Sequence, residues 1–151
     1  MNVSHTPATA LAPASLMRRL AALLYDTLLI AGLFIGFTFI VVLARGMRAV
    51  APESGWLPFS LLAIGALFYA WFWTHGGQTL GMRAWKIRLV TRAGGAVTWQ
   101  RAFARCAAAA LAALPAGLGY WWCLVDRDKL CWHDRWSGTV PVRTLPRRPE
   151  R

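Results

Sequence analysis

Apolar residues in this chain run in blocks and do not alternate with polar ones. Leu20 to Ala44 is one block, with Asp26 as its only charge; Leu57 to Thr74 is a second and Cys106 to Val125 a third, both uncharged. A helix crossing a hydrocarbon core of roughly 30 Å needs about 20 apolar residues. The first block exceeds that and the second just meets it, which predicts two full spans over 16–44 and 57–75. The third block contains Leu114-Pro115-Ala116-Gly117-Leu118-Gly119. Proline removes a helical hydrogen bond and glycine lowers helix stability. Two half-helices, 99–113 and 118–126, are therefore expected, entering and leaving on one side as a re-entrant hairpin. A kinked full span is the alternative. Irregular backbone at membrane depth is tolerated only where protein or a cavity surrounds it.

Composition agrees with this pattern. The 151 residues are 57% hydrophobic, which a soluble domain rarely is. The first block is too long for a signal-peptide core, and Leu43-Ala44-Arg45 is a poor cleavage site. Residues 1–15, with Pro7 and Pro13, read as a disordered leader. A single membrane domain is expected over 16–143 and a basic tail over 144–151. The net charge of +11 raises nucleic acid as a partner, but the basic residues sit at the ends of apolar blocks and no soluble module carries them. Nucleic-acid binding is not expected.

Charge placement also predicts orientation. Arg18 and Arg19 end the leader. The second loop holds Arg83, Lys86, Arg88, Arg92, Arg101 and Arg105 with no acid. The positive-inside rule puts the N-terminus and this loop in the cytoplasm and the first loop outside. The basic tail, with Arg127, Lys129, Arg135 and Arg143, should also lie inside. Three full spans would put it outside, whereas a re-entrant hairpin returns it. Basic residues on that face make anionic lipid headgroups an expected partner.

A small cytoplasmic β element is expected as well. Arg83 to Val90 alternates charged and apolar residues with the period of a strand. Arg92-Ala-Gly94-Gly95 is a turn signal, so Ala96 to Trp99 is a candidate return strand. Gly138 to Val142 is another short extended candidate, with Pro141 placing it at an edge. The predicted fold class is thus an all-α membrane protein with two full spans, a Pro/Gly-broken third segment and this β element.

Asp26 is the residue to explain. A charge at membrane depth costs about 2.5–3.5 kcal/mol on insertion scales, so it faces protein or water. Arg19 lies on the same helix face, roughly 10 Å away, too far for a direct bond unless its side chain extends. Asp134 is a candidate partner for Arg19, and Arg101 and Arg105 are candidates for Asp26. The functional reading is a protonatable or cation-binding carboxylate; the structural one is an ion pair locking the first helix to the cytoplasmic part. His133, beside Asp134, is a candidate proton shuttle or a hydrogen-bonding interfacial histidine. Three glycines in His75-Gly76-Gly77-Gln78-Thr79-Leu80-Gly81 suggest a tight turn with close backbone approach. Cys106, Cys123 and Cys131 read as buried thiols, without the spacing of a zinc site. No nucleophile–base pairing stands out, so no enzyme, metal or cofactor is expected.

Three motifs in order carry a resemblance. Arg19-x6-Asp26, Gly77-Gln78-Thr79-Leu80-Gly81-Met82-Arg83 and His133-Asp134-Arg135-Trp136-Ser137-Gly138-Thr139-Val140 together resemble the RDD family of bacterial membrane proteins. The family is named for one arginine and two aspartates, matched here by Arg19, Asp26 and Asp134. The resemblance covers roughly 16–143 and marks Gly77, Gly81 and Gly138 as motif glycines. It implies a bacterial inner-membrane protein, transport of an unidentified ligand and, for some members, sodium/proton exchange. Met82 departs from the pattern, which commonly has lysine there. The function expected is therefore transport, of cations or protons, with Asp26 handling charge. The rival is a non-transporting accessory or scaffold protein that binds anionic lipid or a partner protein. Two spans enclose little pathway, so a transporter would need a homo-oligomer, and the Gly32-x3-Gly36 face permits close helix contact.

Overall fold

The computed structural model describes residues 13–51, 54–113, 122–126 and 130–144. Two helices are long and apolar enough to cross a membrane: α1 (Leu16–Ala44) and α2 (Trp56–Thr74). At 1.5 Å per residue they measure about 43 and 28 Å. Of the 29 residues of α1 only Ala22 and Asp26 are buried. Leu28, Ile35 and Phe39 stand exposed, as suits a helix with lipid for solvent. Both C-termini lack basic residues in the last turn.

A short helix, α3 (Leu80–Ala84), follows α2, capped by Thr79, whose side chain accepts from the Met82 amide. Then come β1 (Ile87–Thr91), α4 (Trp99–Ala113), a 3-10 turn at Trp122–Leu124, α5 (Trp132–Ser137) and β2 (Thr139–Arg143). The strands pair antiparallel, from Ile87 opposite Arg143 to Thr91 opposite Thr139. The N-terminal segment adds to the other edge of β2. Pro13 bridges Val142, and the Ala14 amide donates to the Pro141 carbonyl at 3.0 Å. So Pro13 and Ala14, read from the sequence as part of the leader, line a strand edge. The outer edge of β1 is used too, because the Leu89 amide donates to the Gly77 carbonyl at 2.6 Å.

Two expectations are corrected. Ala96 to Trp99 is not a return strand: Trp99 opens α4, and the Thr98 carbonyl accepts from Ala102 in its first turn. The Thr91–Gly95 turn closes on itself, with the Thr91 amide donating to the Gly95 carbonyl and the Gly95 amide to Thr91 Oγ1, both at 3.0 Å. Tail residues provide the partner strand in its place. The half-helix expected at 118–126 falls partly on residues 114–121, outside the described ones, and Trp122–Leu124 forms a 3-10 turn where α-helix was expected.

Packing gathers the small elements at one end of the long helices. α3 packs on α1, α4 on α2, and α5 on α4. Trp99, opening α4, touches Trp71 and His75 at the end of α2, with ring centroids 6.2 and 5.9 Å apart. One core cluster joins Ala70 and Trp73 of α2 to Leu89, Val97 and Ala102; a second joins Ala14 and Ala22 to Ile87. Pro13 and Ala14, both strands, α3, α5 and the start of α4 thus meet where α1 begins and α2 ends.

Candidate functional site: two buried carboxylates beside a cavity

Asp26 and Asp134 are both buried, but their surroundings differ in charge. Asp134 is fully enclosed at the third position of α5. Its Oδ2 accepts from the Cys131 amide at 3.0 Å and pairs with Arg19 Nη1 at 3.1 Å; its Oδ1 pairs with Arg105 Nη1 at 2.7 Å. The carboxylate thus joins three elements: α1 through Arg19, α4 through Arg105 and the start of α5. Arg19 also donates from Nε to the Ala14 carbonyl at 2.9 Å, fastening the residue that pairs with β2. Burial works against ionisation of Asp134, but Arg105, with Arg19 and the Cys131 amide, outweighs it and holds the carboxyl below its ordinary range.

The network extends to β2. Arg105 Nη1 donates to Thr139 Oγ1 at 2.7 Å. Ser137 Oγ lies 2.7 Å from Thr139 Oγ1 and donates to the His133 carbonyl at 2.6 Å. Because the Ser137 proton is used there, Thr139 is the donor to Ser137. The Arg105 guanidinium also lies 5.3 Å from the Trp73 ring centroid, a cation–π contact that ties it to α2. His133 Nε2 stands 3.6 Å from Asp134 Oδ1. Burial, then the Arg105 charge, lowers its pKa to about 4, so the imidazole is neutral near pH 7.

Asp26 has a neutral setting. Its Oδ2 accepts from the Thr79 hydroxyl at 2.5 Å and its Oδ1 from the Gly81 amide at 2.8 Å. Among the described residues no cationic side chain forms an ion pair with it. The expectation that Arg101 or Arg105 would partner Asp26 is therefore corrected. Arg105 is drawn to Asp134 and Thr139, and Arg101 donates to the Gly138 carbonyl at 3.3 Å. The expected Arg19–Asp134 pair is present.

The motif glycines account for the close approaches. A Cβ at Gly81 would overlap the Ala22 carbonyl oxygen and lie 2.9 Å from Asp26 Oδ1, so only glycine lets α3 reach α1. Gly77 has φ +71, and a Cβ there would sit 2.6 Å from the Leu89 carbonyl oxygen. Gly138 takes the left-handed conformation that ends α5, at φ +64. Thr79, Arg105's true role and Thr139 escaped the sequence reading. Thr79 was legible in principle, as a helix-capping residue two positions before a motif glycine.

A cavity of about 670 Å³ lies between α1, α2 and α4. Its walls are mostly apolar. Phe34 and Gly65 line it where the Phe34 ring lies over Gly65, a Cβ there standing 3.5 Å from Phe34 Cζ. Arg19, Asp26, Arg105 and His133 line it too.

A model of the RDD family matches residues 13–138, most of the chain. The chain belongs to the RDD family. RDD proteins are membrane proteins, in keeping with the two long apolar helices. No curated protein and no solved structure matches the chain. In this RDD protein the arginine and the second aspartate form one buried pair, while the first aspartate binds the glycine motif after α2.

The site is poorly suited to a metal ion. Cys131, His133 and Asp134 offer ligand atoms within 4.8 Å of one another. Two guanidiniums already neutralise the carboxylate. Burial, then the Asp134 charge, pushes the Cys131 thiol up to about 12, so it stays protonated.

Proposed function

We propose that this RDD protein is a small multi-pass inner-membrane transport module that exchanges protons or small cations, with Asp26 as the charge-handling group. One observation carries the reading: Asp26 is a buried carboxylate on the cavity wall, held by two neutral donors, while Asp134 is matched by two arginines. A buried negative charge without a counter-ion is costly, and a proton or a bound cation removes the cost. Asp134 needs neither. Its role is to close the polar end of the bundle.

The N-terminus, the second loop and the tail face the cytoplasm in this proposal, as the basic residues on those segments favour. The third apolar segment is a re-entrant hairpin. Its support is that α4 begins beside the end of α2 while β2 pairs with β1, so the chain leaves and returns at one end. A second copy completes the pathway. Gly32 and Gly36 have open space where their Cβ atoms would be, which leaves room for a neighbouring helix.

The test is ion movement by the purified protein in liposomes under imposed sodium, potassium and proton gradients. Flux above protein-free vesicles is expected under at least one gradient, and silence under all three counts against transport. A structural reading has its own support, because Asp26 also ties α1 to the Thr79–Gly81 segment. Under that reading an accessory or scaffold protein would carry no flux, and Asp26 variants would lose assembly.

A further inference from the structure

The structure gathers arginines a second time, outside the cavity. Arg92, Arg101 and Arg135 line a recess of about 510 Å³, together with Ser137, Gly138 and Trp136. Three segments build it: the turn after β1, the first turn of α4 and the end of α5. The Gly138 carbonyl holds them in register, accepting from the Arg92 amide at 3.1 Å and from Arg101 Nη1 at 3.3 Å. Arg135 Nη2 pairs with Asp126 Oδ1 at 2.5 Å. Among the described residues the Arg92 guanidinium makes no hydrogen bond or ion pair, and Arg101 bonds only the Gly138 carbonyl. Among the described residues the recess is therefore lined by three guanidiniums, with Asp126, paired to Arg135 from outside the lining, as the one carboxylate that meets them. Like charges held together at a surface are relieved by an anion, and guanidiniums match phosphate oxygens in pairs.

The depth of the recess indicates the source of that anion. Arg101 lies two residues beyond Trp99, which packs on Trp71 in the last turn of α2. Trp136, 60% exposed, stands at the rim and stacks on Trp132. Tryptophans at the end of a spanning helix mark the level of lipid headgroups. We propose that this recess binds the phosphate of an anionic phospholipid, its acyl chains in the bilayer beside α4 and its headgroup held by Arg92, Arg101 and Arg135. The proposal goes beyond the transport reading and does not depend on it, since lipid retention and ion flux are separate measurements.

The experiment titrates the full-length protein in neutral detergent with tail-labelled phosphatidylglycerol and with phosphatidylcholine carrying the same chains. Phosphatidylglycerol is expected to bind about tenfold more tightly, from the attraction of two uncompensated basic residues. Arg92→Gln/Arg101→Gln should lose most of that preference, and Arg45→Gln/Arg48→Gln, at the far end of α1, should keep it. Arg92→Gln alone is the safeguard against misfolding, because that side chain bonds no described residue; it should lose part of the preference. Equal binding of the two lipids by the wild type would overturn the proposal. So would full preference in Arg92→Gln and the double variant. Displacement of phosphatidylglycerol by millimolar inorganic phosphate would assign the recess to free phosphate and overturn the lipid reading.

Discussion

The two aspartates of the motif are buried by different means, and that difference predicts how each responds to substitution. Asp134→Asn leaves Arg19 and Arg105 buried without a counter-charge. Breaking one partner of such a pair typically costs about 3–5 kcal/mol, so a large drop in the melting temperature is expected by circular dichroism in detergent. Asp26→Asn is milder. The amide oxygen can accept from Gly81 and the amide nitrogen can donate to Thr79, so both ties survive the loss of charge. Gly81→Ala is a steric test, because the methyl group overlaps the Ala22 carbonyl oxygen. Overpacking of that kind costs roughly 1–3 kcal/mol, and reduced yield of folded protein is the readout. His133 sets the pH response. The unfolded chain takes up a proton near pH 6.5, and the folded chain refuses it until about 4. Stability is therefore complete above pH 6.5 and falls as pH drops towards 4, by about 3 kcal/mol in all. Below pH 3.8 protonation of Asp134 removes more, since its folded value is depressed. His133→Gln should flatten the slope between pH 6.5 and 4; an unchanged slope would put its origin elsewhere.

Among the elements, the β pair sets the topology. The strands come from segments almost fifty residues apart in the chain, and Ala14 extends them through Pro141. Tags placed in the 92–95 turn and after Thr144 should label from the same side of the membrane as a tag at the N-terminus. Opposite labelling of the 92–95 turn and the tag after Thr144 would remove the re-entrant hairpin. Both long helices were legible in the sequence because uninterrupted apolar length is itself the signal. The first strand was legible in part: Ile87 to Val90 is extended as expected, but Arg83 and Ala84, read as part of the same alternation, close α3. Its partner was open, since residues 96–99 and 138–142 both read as extended. The tight turn at Thr91–Gly95 and the start of α4 at Trp99 decided between them, and neither is a periodicity. The candidate site was partly legible. Arg19–Asp134 followed from two charges expected on one side, but Arg105, a candidate partner for Asp26, reaches Asp134 instead. Distance along the chain says nothing about which of two buried carboxylates a guanidinium reaches, and Thr139, which helps hold Arg105, carries no charge to reveal it.

For the molecule as a whole, the polar end is tied by ion pairs and backbone approaches, while midway along the long helices the Phe34 ring lies over Gly65 beside a cavity of about 670 Å³. In the proposed transport reading, the cavity wall that carries Asp26 is the path of the charge. The central claim is that Asp26 handles that charge. It is tested most directly by reconstituting wild-type protein and Asp26→Asn side by side in liposomes and following internal pH after an imposed sodium or potassium gradient. The account predicts flux from the wild type and its loss in the variant, with the same melting temperature to within a few degrees and the same oligomer size. Equal flux from both proteins would contradict it.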